Sequence, residues 1–498
     1  MEEERILVFN HYYILKHDLK RTYIYSNSGK EEENLNIKVD KSWLTKIHPA
    51  YAMLFSLVSK PVKLSKLIKD ISYFFDINTE EAKSMFLPFL DRNEPFYSNF
   101  AGVVSQFPRN IIIDASDSFV NPNIYSPENF TYDSIDLAAQ RAYKAPFTVV
   151  FMPNNNCTTD CEYCYADRSV KPIRLGFEKV KSIIDECKEL KISQVILTGG
   201  DIFLYKYWKE LLSYLDQNGF PLGLISTKTP LQLRDVQFLK KYKLRLQFSL
   251  DSVDPAVCKK LVGMDDRYLE KVTKTFEILD SLDQKFRVTT VITSLNADIP
   301  YLVQLYQFLK GFPCISEWEI RLASKSLYSK KNFNDLNISK EAFESIDKWI
   351  NSIQTASSLK IAWESKKIAR YFKSKTGSKG FEGARCSANY SNMMILPDGK
   401  VTICEQLYWN PNYIIGDLTK QSIVEVWNSE KALQLAFPKQ KDFQEASPCK
   451  RCKIFDACYS YPNRCIVDVI KGYGEENADY PDPRCEKAPH FISDLLPV

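Results

Sequence analysis

Histidine is almost missing from this chain: there are four in 498 residues, with His11, His17 and His48 near one end and His490 near the other. The whole middle lacks an imidazole, which excludes a Ser-His-Asp triad or an HExxH zinc site there. Long apolar runs are also missing, since none approaches the roughly 18 residues of a membrane span. The opening MEEERILVFN is acidic where a signal peptide is basic. A cytoplasmic protein without membrane contact is therefore expected. Charge of one sign is not in excess either: 66 Lys and Arg stand against 62 Asp and Glu, and the resulting +4 is too small for a nucleic-acid footprint. No internal repeat and no long low-complexity tract interrupts the chain.

What is present is 45% hydrophobic and 13% aromatic residues, enough to bury substantial cores in about three domains. Thirteen cysteines accompany them. In a reducing compartment that number points to metal ligation rather than to disulfides.

Residues 1–110 open with strand-like runs at 6–15 and 22–26, separated by the polar 16–21, which reads as a hairpin. Three helical faces follow: Tyr51, Leu54, Phe55 and Val58; Leu67, Ile68 and Ile71; and Ala82, Met85, Phe86 and Phe89. Asn78 and Glu81 form a capping-box pattern before the third, and Pro88 lies inside it. Residues 111–145, with Pro122 and Pro127, read as a linker.

Residues 146–355 alternate. Strand-like runs at 147–151, 194–197, 222–225, 244–248, 286–292 and 317–322 are separated by helical faces such as Val180, Ile183, Ile184 and Cys187. That order predicts an α/β fold with a parallel sheet, here a partial (β/α)6 barrel, with functional residues at the C-terminal ends of its strands. A second linker is expected at 356–379, overlapping a Lys-rich solvated loop at 366–380. Residues 380–498 hold seven of the thirteen cysteines among many Pro, Asn and Tyr, so a cysteine-rich domain that needs metal to fold is expected.

Directly after the first barrel strand comes Cys157-Thr-Thr-Asp-Cys161-Glu-Tyr-Cys164. A closed four-iron cluster takes four thiolates, so three in one loop leave an iron open. Structural zinc wants four ligands, and no histidine is near. The motif and its position resemble the radical S-adenosylmethionine superfamily. The resemblance implies that the open iron chelates the cofactor's amino and carboxylate groups. Reductive cleavage then yields a 5′-deoxyadenosyl radical that abstracts hydrogen.

Further matches occur in the family's order. Tyr163 corresponds to the aromatic near the adenine. Gly199-Gly200-Asp201 resembles the GGE motif that holds the methionine amino group, with Asp in place of the usual Glu. Ser249-Leu-Asp251 resembles a stretch in which the serine meets the cofactor carboxylate. Cys187, Cys258 and Cys314 read as ordinary buried thiols.

The last cysteines run Cys386, then Gly399-Lys-Val-Thr-Ile-Cys404, then Cys449, Cys452, Cys458, Cys465 and Cys485. This order resembles the SPASM extension of peptide-modifying radical enzymes. The family spacing departs at one place, where six residues rather than three separate Cys458 from Cys465. By resemblance, Cys386, Cys404 and Cys465 hold an inner auxiliary cluster that lacks one thiolate. Cys449, Cys452, Cys458 and Cys485 hold a closed outer one. A zinc ribbon built on Cys449 and Cys452 is the competing reading of these residues alone. The N-terminal hairpin and helices resemble the winged-helix-like element with which maturases of ribosomally made peptides hold a leader.

Together the resemblances imply a peptide maturase using S-adenosylmethionine and three [4Fe-4S] clusters. Its expected partners are a precursor peptide, bound by its leader at the N-terminal domain, and an electron donor such as flavodoxin or ferredoxin. A thioether crosslink from a substrate Cys is the expected product. The alternatives are carbon-carbon or carbon-oxygen crosslinking, sulfatase-type protein maturation, and, outside enzymes, an electron carrier or a metal-stabilised scaffold. No general base is assignable. Glu319 and Arg321 read equally as substrate-facing or as a buried pair. Anaerobic reconstitution is expected to give about 12 irons and 12 labile sulfides per chain; about four irons with zinc present would replace the auxiliary clusters by a structural metal domain.

Overall fold

The computed structural model describes residues 4–26, 38–115, 123–328, 333–363, 375–377, 380–382 and 386–489. It comprises two compact units, Met1–Phe147 with Glu186–Ser193, and Thr148–Asp185 with Gln194–Val498.

In the first unit the run at 6–15 is two strands rather than one. Ile6–Phe9 pairs antiparallel with Val62–Lys63 and Ile112–Asp114, whereas Tyr13–His17 pairs with Thr22–Ser26, to which Leu44–Ile47 adds. Asn10 causes the break. Its buried side chain accepts from Tyr12 N at 3.1 Å and donates to Asn110 O at 2.8 Å, an Asx turn that competes with the ladder. The expected hairpin is thus present with a shorter first arm.

Helices form at Pro49–Ser56, Leu64–Phe75 and Thr79–Phe86, the third with its Asn78–Glu81 capping box. It ends before Pro88, and a 3-10 turn, Leu87–Phe89, completes the path. A second hairpin, Phe96–Phe100 with Val103–Phe107, escaped the sequence reading because its turn is Ala101-Gly102, not Asn-Gly. Both turn residues still take positive φ, 50° and 80°.

Phe9, Tyr51, Phe55, Phe89 and Phe107 interlock in the core, mostly edge to face, at centroid distances of 4.8 to 5.8 Å. The stretch expected as a linker contributes the strand Ile112–Asp114 and the buried rings of Tyr125 and Phe130 to this unit.

The turn between the hairpin arms holds a buried ion pair, Arg21 Nε to Asp18 Oδ2 at 3.0 Å, with both side chains 0% exposed. Asp18 also accepts from Lys144 N at 2.7 Å, and the Arg21 guanidinium donates to Ala139 O and to Arg141 O. One buried pair thereby pins residues 139–144. Asp18→Ala should destabilise this unit by about 3–5 kcal/mol, because it strands a buried guanidinium; a change in the denaturant midpoint within surface-mutation scatter would show the pair to be dispensable.

In the second unit all six expected strands form, at Thr148–Phe151, Gln194–Leu197, Leu224–Thr227, Arg245–Ser249, Phe286–Ile292 and Ile315–Leu322. The fold is α/β, and the pairings among these strands are parallel. They fall into two ladders rather than one. Thr148–Phe151 lies between Gln194–Leu197 and Asn392–Ile395, and the other four run in order to an added neighbour, Ile361–Trp363. Among the described residues no ladder joins Gln194–Leu197 to Leu224–Thr227.

Asn392–Ile395 comes from the cysteine-rich region, and Lys400–Thr402 and Ile414–Asp417 extend the sheet antiparallel beyond it. Lys375–Gly377 pairs with Gly380–Glu382 inside the expected solvated loop. The rest of that loop, with Pro122 and His490, lies outside the described residues.

Candidate active site

The chain leaves Thr148–Phe151 and reaches Cys157 through Asn154, Asn155 and Asn156. Asn154 Oδ1 accepts from Asn156 N at 2.8 Å, and its Nδ2 donates to Asp201 O at 3.0 Å. In return Gly200 N donates to Asn154 O at 3.0 Å and Asp201 N to Asn156 O at 2.6 Å. A Cβ on Gly199, whose φ is 136°, would lie 2.4 Å from Asn154 O, and one on Gly200 would lie 2.0 Å from Asn156 O. The two glycines are therefore required by the approach of this loop to the chain entering the cysteine motif.

The motif is tied on its other side. Asp160 N and Glu162 N donate to Val262 O and Leu261 O, each at 3.0 Å, and Arg168 donates to Thr159 O and Asp160 Oδ1 at 2.9 Å. Cys161 and Cys164 line a cavity of about 550 Å³ with Arg168 and Tyr328. Burial pushes the Cys157 thiol up to about 12, with Cys164 and Cys161 adding to the effect of Asp201. Burial raises Cys164 as well. A metal must displace those protons.

Asp201, 3% exposed, commits its carboxylate to protein donors. Oδ2 accepts from Thr227 Oγ1 at 2.6 Å and from Lys228 N and Thr229 N at 3.0 Å, and Oδ1 accepts from Phe203 N at 3.1 Å. It bridges the place where the two ladders do not pair.

A second carboxylate, Asp251, joins strand ends in the same way after Arg245–Ser249. It accepts from Tyr163 OH and Lys228 Nζ at 2.6 Å and from Val291 N at 2.8 Å. Ser249 is half-buried; its carbonyl accepts from Lys228 Nζ at 3.2 Å, and its hydroxyl lies 3.4 Å from that of Ser226. Tyr163, Ser249 and Asp251 thus share one network with Lys228, a residue the sequence reading missed. Its only sequence signal was a polar side chain at the end of a barrel strand.

Glu319 forms a triad with Arg287 and Arg321, the latter at 2.8 Å. Burial alone would raise its carboxyl, but the two guanidiniums hold it below its ordinary value. Cys187, Cys258 and Cys314 are buried, at 0%, 3% and 5% exposure.

The C-terminal cysteines fall into two groups. Cys449, Cys452, Cys458 and Cys485 line one small enclosed cavity of about 30 Å³, with Phe455, Tyr459 and Pro481 around them. Lys487 Nζ lies 3.5 Å from Cys452 Sγ, and Gln440 Nε2 donates to the carbonyls of Cys449 and Cys452. Burial raises the Cys465 thiol, and the charges of Asp468, Cys386 and Cys404 add to the rise.

The long spacer before Cys465 is accommodated by folding back. Pro462 O accepts from Cys386 N at 2.7 Å, while Cys465 N is held by Asp482 Oδ2 at 3.0 Å. All thirteen cysteines are free thiols. Among the described residues no three potential ligands are already closed to metal spacing. The grouping and the sulfur donor sets fit iron-sulfur clusters, with the side chains still to turn onto the metal.

Residues 151–305 match the radical SAM superfamily, and residues 386–453 match the SPASM iron-sulfur cluster-binding domain. The chain is a radical S-adenosylmethionine enzyme with a C-terminal SPASM domain. It is 20% identical over 338 residues to the antilisterial bacteriocin subtilosin biosynthesis protein AlbA of Bacillus subtilis, covering 65% of this chain and 69% of that protein. Over 134 residues it is 31% identical to the S-adenosyl-L-methionine-dependent tRNA 4-demethylwyosine synthase of Methanocaldococcus jannaschii, covering 27% of this chain and 40% of that one. The crystal structure of Streptococcus suis SuiB bound to precursor peptide SuiA superposes with a TM-score of 0.61 at 16% identity, covering 96% of this chain and all of that one. That likeness concerns the fold.

Gly200→Ala should force the Asn154–Asn156 segment away and cost the barrel site its metal. About four irons per chain should be lost after reconstitution, and a parent-like iron content would show that the close approach is not needed.

Proposed function

We propose that the enzyme matures a ribosomally made peptide, with Cys157, Cys161 and Cys164 holding a four-iron cluster whose open iron binds S-adenosylmethionine. The observation that carries this reading is that Cys164 packs on the cluster of Met152, Met394, Leu396 and Tyr408, and the turn that begins at Cys404 leads directly into Tyr408, with Leu407 N donating to Cys404 O at 3.0 Å. This supports a substrate held between the cysteine motif and the inner group proposed for Cys386, Cys404 and Cys465. The strand Asn392–Ile395 beside Thr148–Phe151 supports the same reading, since it ties the cysteine-rich region to the strand that leads into the motif. So do a bacteriocin biosynthesis protein among the relatives and a structural neighbour bound to a precursor peptide.

In this reading Tyr163, Ser249, Asp251 and the Gly199-Gly200-Asp201 backbone form the cofactor wall. The N-terminal unit holds the leader along a strand edge, where main-chain bonds give affinity and alternate side chains give selection. Cys449, Cys452, Cys458 and Cys485 hold a closed outer cluster, for three in all. A flavodoxin or ferredoxin supplies the electron.

When bound, the cofactor and cluster supply one reducing event that yields methionine and a 5′-deoxyadenosyl radical, which takes a hydrogen atom from the peptide. The carbon radical so formed bonds to the sulfur of a peptide Cys. Balance requires the thiol proton to pass to solvent and one electron to leave the peptide; the clusters that Cys386, Cys404 and Cys465, and Cys449, Cys452, Cys458 and Cys485, would hold would supply its acceptor, which would return the electron supplied at the start. The product is a thioether, and the peptide is lighter by two hydrogens.

A precursor with every Cys replaced by Ala should leave the enzyme unmodified, as read by intact-mass spectrometry. Loss of two hydrogens from that variant would replace the thioether with a carbon-carbon or carbon-oxygen crosslink.

A further inference from the structure

Lys228 is a cation fixed inside the radical site. Its side chain is 14% exposed, and it is anchored at three points. The backbone N is held by Asp201 at 3.0 Å, the carbonyl accepts from Tyr268 OH at 2.9 Å, and Nζ donates to Asp251 Oδ2 at 2.6 Å and to Ser249 O at 3.2 Å. Nζ also lies 5.8 Å from the ring centre of Tyr163, the residue immediately before Cys164. Tyr163 packs together with Cys161 against Cys258, Leu261 and Val262, so the ammonium lies one ring away from the motif's cysteines.

A four-iron cluster with three thiolates is anionic, and it gains a further negative charge on reduction. A cation rigidly held close to the loop that carries those thiolates stabilises the reduced form more than the oxidised one, because the interaction scales with the charge it meets. Low local dielectric enlarges the effect, and the hydrogen-bonded anchors keep the ammonium from turning toward solvent. Asp251 is the opposing charge in the same network. It cannot cancel the cation everywhere, since the two occupy different positions relative to the motif.

We propose that Lys228 sets the reduction potential of the cluster held by Cys157, Cys161 and Cys164, raising it toward the reach of a biological reductant, with Asp251 as the counterweight. The inference rests on the assignment of that cluster under the proposed function. Lys228 acts here as a tuning and positioning residue, since it reaches the metal only through its field. The competing reading is a buried ion pair that merely joins the ends of two barrel strands.

The sign of charge separates the two. Full-length enzyme, reconstituted anaerobically, is titrated with a chemical reductant, and the electron paramagnetic resonance component that changes on addition of S-adenosylmethionine is followed, which singles out the cluster with an open iron. Lys228→Met should shift that potential to more negative values, Asp251→Asn should shift it to more positive values, and Lys228→Arg should stay near the parent. If removing one charge alone prevents folding, Lys228→Met combined with Asp251→Asn keeps the site neutral, and its potential should fall between the shifts of opposite sign. Variants with full iron, lowered melting temperature and parent-like potentials would overturn the proposal in favour of a structural pair. A parent enzyme with no signal that responds to S-adenosylmethionine would instead overturn the cluster assignment, and the tuning role with it.

Discussion

The arrangement of the active site depends on one carboxylate. Asp201 stands where the sheet ladder is interrupted, and its oxygens collect donors from Thr227, Lys228, Thr229 and Phe203. In an unbroken parallel sheet those strand ends would be set by main-chain pairing. Here a buried side chain does it. The geometry is stiff because both carboxylate oxygens of Asp201 have donors, and an orphaned buried polar group would cost about 1–3 kcal/mol. The backbone of the same residue is bonded to Asn154 and Asn156, so the chain entering the cysteine motif is tied to the same point.

From that point the network spreads across the strand ends. Lys228 follows the third barrel strand and reaches Asp251 after the fourth; Asp251 reaches Tyr163 in the cysteine motif and Val291 on the fifth strand. The residues expected to line the cofactor are thus also those that join neighbouring strand ends. A low dielectric makes such a network strong when complete and fragile when one member is lost. The same construction places a cation against Tyr163 of the cysteine motif.

The cysteine-rich region is not hung on the chain end as an independent piece. Its strand Asn392–Ile395 occupies the place beside Thr148–Phe151, and Cys404 comes just after the next strand, Lys400–Thr402, of the same sheet extension. The spacer 459–464, longer than the family pattern, folds back so that Pro462 meets Cys386 while Cys465 N is held by Asp482. Spacing in sequence therefore mattered less than closure in space, because a loop's length affects the cost of closing it only slowly.

Much of this was legible in the chain itself. The alternating strand and helix patterns, the Asn78–Glu81 cap and the cysteine motifs are local signals, carried by residues close in sequence, so the sequence alone determined the α/β class and the radical SAM and SPASM resemblance. What it could not determine were choices between competing partners. Asn10 could have continued a strand, but its side chain bonded Asn110, a hundred residues away. Asp201 read as a cofactor residue, yet its carboxylate is occupied by a distant strand end, and Gly200 is needed for a carbonyl at Asn156 rather than for a ligand alone. Lys228 carried no motif at all. Long-range hydrogen bonds and close backbone approaches leave no periodic trace in a sequence, and here they decided which charges stand against the cysteine motif.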